Sequence, residues 1–132
     1  MQRAPQYEDV VQDVKNYLLE QARMLESLGI EPGRISLDPG CGFGKTLEQN
    51  YSLIKNLDQL VQSGYPVLLG VSRKSMIGHV TGQPVTQRLV GSIAAALAGV
   101  ARGAAIIRVH DVTETKDALN VWNAVEQGVQ QQ

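Results

Sequence analysis

The chain has 132 residues, 43% of them hydrophobic and 19% charged, with a net charge of −1 at pH 7. That composition suits one globular domain with a core, and it excludes both the basic footprint of a nucleic-acid binder and electrostatic attraction to a membrane surface. The longest apolar run, residues 93–100, is alanine-rich and too short to cross a bilayer; residues 2–13 are polar and acidic where a secretory leader would be apolar; and the single cysteine, Cys41, allows no intrachain disulfide, which points to a cytoplasmic protein.

Residues 7–28 place Val10, Val14, Tyr17, Leu18, Gln21, Leu25 and Leu28 at spacings of three and four, which predicts an amphipathic helix closed by Gly29 at C′ and by Pro32-Gly33. The apolar run 35–37 predicts a strand that ends in Asp38, followed by a loop with Gly40, Gly42 and Gly44 and then Lys45 and Thr46. Thr46 with Gln49 makes a capping box for a helix carrying Leu53, Ile54, Leu57, Leu60 and Val61 on one stripe and ending at Ser63-Gly64. Pro66 opens the run 67–71, apolar without alternation, as expected of a parallel strand covered on both faces. Ser72-Arg73-Lys74-Ser75 then begins a helical turn. Residues 79–87 predict a loop, with His79 at the surface, and Thr86 is the expected cap of a helix to about Arg102. Ala94, Ala95, Ala96, Ala98 and Gly99 allow that helix to pack closely, and Gly103 ends it. The third strand is predicted over 104–109, and the last helix, with Trp122 as a packing residue, over about 115–125.

The order is α-β-α-β-α-β-α, with strands beginning roughly every thirty-odd residues. Strict alternation with short loops predicts parallel strands and right-handed crossovers. No linker divides the chain, so residues 1–132 read as a single domain. Three strands alone leave exposed edges, and the pattern is that of part of a larger sheet or barrel.

Ligands of such proteins bind at the carboxyl ends of the strands, and all three predicted tips are charged: Asp38, Arg73-Lys74, and Arg108 with His110. Arg108 and His110 are two apart on one strand and share a face, which calls for an anion nearby. The plainer alternative pairs Arg108 with Asp111 or Glu114. Asp38 could be a turn former before Pro39-Gly40, or a carboxylate accepting two parallel N–H bonds from an amidine-like ring edge. The Ser72 hydroxyl and neighbouring N–H groups could hold a carboxylate or phosphate, or the segment could be a solvated basic turn. Cys41 would be reactive if exposed, although no histidine neighbours it in sequence. A phosphate-binding P-loop is excluded by one residue: the position of its first glycine is Pro39, and Gly40 leaves only three residues before Gly44.

Asp-Pro-Gly-x-Gly-Phe-Gly-Lys at 38–45, Asn50-Tyr51, Gly-x-Ser-Arg-Lys-Ser at 70–75, Arg88 with Gly91-Ser92, and Arg-Val-His-Asp-Val at 108–112 together resemble the dihydropteroate synthase family. Met-Gln-x-Ala-Pro-x-Tyr at 1–7 is similar to the family's segment after its fifth strand. The resemblance covers essentially the whole chain but only the C-terminal half of the family's TIM (β/α)8 barrel, strands six to eight. It implies a cytoplasmic transferase of folate biosynthesis that condenses p-aminobenzoate with 6-hydroxymethyl-7,8-dihydropterin pyrophosphate, giving 7,8-dihydropteroate and pyrophosphate. By the same resemblance, Asp38, Gly70, Lys74 and Arg108 would form the pterin site, and Phe43, Ser72 and Arg73 the p-aminobenzoate site. Arg108 and His110 would take the pyrophosphate. The family's Mg2+ ligand lies on an early strand outside this stretch, so no metal ligand is expected here, and the chain alone is expected to turn over little or not at all. A homodimer is also implied. Cys41 stands where the family pattern suggests a bulky apolar residue. Two other readings compete. A methyltetrahydrofolate corrinoid methyltransferase would share the pterin site but needs no pyrophosphate site. A non-catalytic barrel fragment would act by association through its open edges.

Overall fold

The computed structural model describes residues 9–129. The segment at 1–7 and the expected start of the first helix at residue 7 lie outside them. Helix α1, Val10–Ser27, is capped by the Asp9 side chain, which accepts from the Gln12 N–H at 3.1 Å. It ends as a Schellman turn: Gly29, at φ 97°, donates to Glu26 O at 3.0 Å, and Ile30 donates to Leu25 O at 3.1 Å. Val10, Val14 and Ala22 are buried, whereas Tyr17 and Leu28 of the predicted stripe are exposed.

The capping box is present as predicted, with Thr46 Oγ1 accepting from the Gln49 N–H and the Gln49 side chain accepting from the Thr46 N–H. The helix behind it is two helices, α2 (Leu47–Lys55) and α3 (Leu57–Val61), and not one. The break is Asn56, at φ −108° and ψ 22°, whose side-chain amide donates to Ser52 O at 2.9 Å; an asparagine that bonds the previous turn competes with the helical backbone. The stripe survives the break: Leu53, Ile54, Leu57 and Leu60 are all buried.

The strands are shorter than expected. β1 is Leu68–Leu69 and β2 is Ile106–Ile107, paired in parallel, and the predicted strand at 35–37 makes a single parallel bridge, Leu37 to Val67. The sheet order along the chain holds, with β1 central: Leu68 N–H donates to Leu37 O at 2.8 Å on one side, and Arg108 N–H to Leu69 O at 3.0 Å on the other. Val67, Leu69 and Val71 are buried at the centre of the core. The expected cover on both faces is incomplete, because Leu68 is half-buried and Ile106 is 43% exposed.

After β1 the chain enters α4 (Ser75–Thr81), so His79 sits on a helix, exposed, and not in a loop; a 3-10 turn, Val85–Gln87, follows. Thr86 lies inside that turn and caps nothing. Helix α5 (Leu89–Ala101) begins at Arg88 with no side-chain cap. Its small residues do bring it against the sheet: a Cβ on Gly99 would strike the Leu69 side chain, and one on Gly91 would come 2.5 Å from Ile77 Cγ2. Helix α6 (Val112–Gln127) begins three residues earlier than predicted, with Trp122 half-buried on it. α5 packs on α2, α4 and α6, and α1 packs on α2 and α3. The fold is α/β with parallel strands. Among the described residues no helix is long and apolar enough to cross a membrane.

Candidate functional site at the strand tips

The loop after Leu37 is tied down from four directions. Asp38 Oδ1 accepts from the Gly40 N–H at 2.8 Å, so the carboxylate does act as a turn former. Asn50, buried in the first turns of α2, accepts from the Gly42 N–H at 2.7 Å. Lys45 Nζ donates to Gly40 O at 2.9 Å and Phe43 O at 3.0 Å, and Lys74 Nζ reaches across to Cys41 O at 2.6 Å. All three loop glycines have positive φ, and the Lys74 side chain passes 3.1 Å from where a Gly42 Cβ would stand. Phe43 projects, 60% exposed, with the Lys74 ammonium 4.7 Å from its ring centre. Burial lowers the pKa of both lysines; for Lys74 the Arg108 charge adds to the effect.

At the β1 tip, Lys74 N–H donates to Val71 O at 3.0 Å, closing a turn in which Arg73 has φ 60°. Arg73 grips Asp111 with two donors, Nη2 to Oδ1 at 2.8 Å and Nε to Oδ2 at 3.3 Å. The buried Ser72 Oγ accepts from the His110 N–H at 3.2 Å and lies 3.0 Å from His110 Nδ1. At the β2 tip, Arg108 Nη1 stands 3.5 Å from Asp38 Oδ2. The alternative pairing of Arg108 with Asp111 or Glu114 is thereby corrected: Arg73 occupies Asp111, and Arg108 turns to Asp38 on the far strand.

Two clefts open along these tips. One of about 110 Å³ is lined by Gly70, Ser72, Lys74, Arg108, Val109 and His110; the other, of about 500 Å³, is lined by Val14, Tyr17, Leu18, Asp38, Pro39, Gly40 and Lys45. The Asp38–Arg108 pair links them. Lys45, Lys74 and Arg108 surround the single carboxylate of Asp38, a local excess of positive charge that suits an anion. Of the residues predicted at the three tips, Gly70, Ser72, Lys74, Arg108 and His110 line one cleft and Asp38 the other, joined by the Asp38–Arg108 contact, while Phe43 and Arg73 line neither. The condition for a reactive Cys41 is not met: it is 1% exposed, and burial pushes its thiol up to about 11. Among the described residues no group of three or more His, Cys, Asp or Glu is arranged to hold a metal ion. Sequence reasoning missed the work of Asn50, Ser92 and Arg88. Ser92 Oγ accepts from the Arg73 N–H at 2.9 Å, and Arg88 Nη1 donates to Arg73 O at 3.0 Å. Their presence in the motif was the only available signal.

A loop of glycines, a carboxylate and three basic groups at the ends of parallel strands make an arrangement that can receive a small polar ligand with an anionic part. A family model described as "Pterin binding enzyme" matches residues 1–110, and the chain belongs to that family. It is 54% identical over 127 residues to a dihydropteroate synthase of Neisseria meningitidis serogroup C, covering 95% of this chain and 45% of the relative. A Xanthomonas albilineans dihydropteroate synthase solved with 7,8-dihydropteroate matches with a TM-score of 0.92 and 46% identity over 96% of this chain and 49% of that one. A Thermus thermophilus dihydropteroate synthase solved with 6HMPPP matches with a TM-score of 0.88 and 47% identity over 92% and 48%. The chain thus spans about half the length of the curated relatives and solved structures it matches.

Proposed function

We propose that this chain supplies one side of a dihydropteroate synthase active site, as the sixth to eighth (β/α) units of a TIM barrel and as one domain. The likeness to enzymes solved with the product and with 6HMPPP supports the substrates. The observation that carries the reading is the convergence of Asp38, Lys74 and Arg108 from three successive strand ends. Asp38 takes the pterin's amino-pyrimidine edge through the carboxylate that faces Arg108 at 3.5 Å, with Lys74 on the ring and Gly70 near it. Arg108 and His110 take the pyrophosphate. Phe43 and Arg73 flank p-aminobenzoate, and the Ser72 turn takes its carboxylate. The aniline nitrogen lone pair forms the new C–N bond at the methylene carbon while the C–O bond breaks, its electron pair leaving with pyrophosphate and the nitrogen proton passing to solvent. Catalysis is then positioning and leaving-group stabilisation, with no covalent nucleophile.

Mg2+ belongs in this proposal to the early strands of the family's barrel, and no step is routed through it here. Residues 1–132 alone are expected to turn over little or not at all. The cytoplasm is the proposed location. A homodimer is supported by Val121 and Val125, one turn apart on α6 and 65% and 75% exposed. A mass above 14.3 kDa in solution is expected, and a strictly monomeric chain would count against the dimer.

The deciding experiment is a calorimetric titration of the chain with 6-hydroxymethylpterin, with Asp38→Asn as control. Saturable binding that falls at least about tenfold in the control is expected. A folded sample that binds nothing overturns the half-site reading and favours a fragment that acts by association.

A further inference from the structure

Among the described residues, Arg73 is the one non-glycine with positive φ, and it occupies the third position of the Val71–Lys74 turn, where a positive φ normally selects glycine. Such a conformation persists only where its surroundings over-determine it. Here they do. The Arg73 N–H goes to buried Ser92, its carbonyl accepts from Arg88, and its guanidinium is gripped by Asp111. Arg88 is itself aimed, because its Nε donates to Gln83 O at 3.0 Å, and Ser92 Oγ donates to Arg88 O at 2.5 Å.

A second observation concerns α4. Gly78 lies inside this seven-residue helix, where glycine is the poorest ordinary helix former. A Cβ at Gly78 would collide with the Arg88 guanidinium. The glycine keeps open the passage through which Arg88 reaches the Arg73 carbonyl.

We infer that Arg88 is a positioning residue for the p-aminobenzoate side of the site, acting through the Gly78 gap to hold the Arg73 turn in its left-handed conformation. Arg88 is absent from the lining of both clefts, so its action on ligand passes through Arg73. The inference rests on the dihydropteroate synthase reading. It adds a device that fixes where Arg73 points.

The test compares the parent chain with Arg88→Ala, Arg88→Lys and Gly78→Ala. Each is titrated with 6-hydroxymethylpterin, and then with p-aminobenzoate in the presence of pterin and pyrophosphate. Arg88→Ala and Gly78→Ala should each weaken p-aminobenzoate roughly tenfold and leave pterin within about twofold, and Arg88→Lys should recover part of the loss. Gly78→Ala should melt no lower than the parent, since alanine is the better helix former; a merely structural role would lower stability and both affinities together. Unchanged p-aminobenzoate affinity in Arg88→Ala, or equal losses for both ligands, overturns the inference. If the parent binds no p-aminobenzoate, that result counts against the functional reading alone. The inference is then decided by three-bond couplings of the labelled chain: φ of Arg73 should leave the positive region in Gly78→Ala, and a retained positive φ overturns it.

Discussion

Arg108 lies directly over Gly70: a Cβ on that glycine would come within 2.6 Å of Arg108 Nη2 and 2.9 Å of its Cζ. The two residues belong to neighbouring strand ends, and the absent side chain lets the guanidinium cross the β1 tip toward Asp38, 3.5 Å away. Gly70 therefore serves as floor space for a cation, and its backbone φ is not in the left-handed region.

Gly70→Ala should leave the fold intact and displace Arg108, because the obstructing atoms are the far end of a flexible side chain. We expect a change in stability below about 1 kcal/mol, with pterin affinity reduced roughly tenfold. Urea unfolding and calorimetry separate the two effects. Undiminished pterin binding would mean that Arg108 need not cross Gly70.

The bidentate hydrogen bond from Arg73 holds the Asp111 carboxyl below its ordinary value of 3.8. A depressed carboxylate contributes stability above its unfolded pKa and loses it as pH falls through the lower folded value. The ion pair is exposed, so the readout is the titration itself and not a stability change. Carbon-13 titration of Asp111 should show a midpoint below 3.8 that moves back up in Arg73→Gln. No movement would remove Arg73 as the cause.

Cys41 has the opposite sense. Its thiol, raised by burial from 9.0 to about 11, stays protonated where the unfolded thiol ionises, so its contribution is complete below about pH 9 and is lost as pH rises toward 11. At about pH 8 a disulfide reagent should label the native chain only as fast as it opens, with the rate climbing in urea. Immediate stoichiometric labelling of a folded sample would contradict the buried position.

Thr46→Ala removes one half of the capping box and should cost about 1 kcal/mol of stability. The same helix carries Asn50, which holds the Gly42 N–H, so the variant should also increase hydrogen exchange at Gly42. A stability loss with the Gly42 amide unchanged would show that the loop is anchored independently of the cap.

Signals that act within a turn or two of the chain were legible. The capping box at Thr46 and Gln49, the glycine stops at Gly29 and Gly103, the α/β alternation and the charged strand tips all depend on neighbours a few residues apart. The break at Asn56 was not legible, since the same apolar stripe continues through α2 and α3. Strand lengths were also out of reach, because a strand extends only where a partner pairs with it, and residue 36 and its neighbours find one bridge.

What the amino-acid order determined by itself was therefore the kind of protein and the residues of its candidate site: parallel α/β units with Asp38, Lys74, Arg108 and His110 at one end. Tertiary structure alone decided the partners. Arg108 pairs with a carboxylate 70 residues away and Arg73 with one 38 residues away. Ser92 and Arg88 reach back 19 and 15 residues to one strained peptide, and Cys41 disappears into the core. Such choices turn on ångström-scale distances between separate elements, set when helices and strands pack, and no local pattern in the chain encodes them.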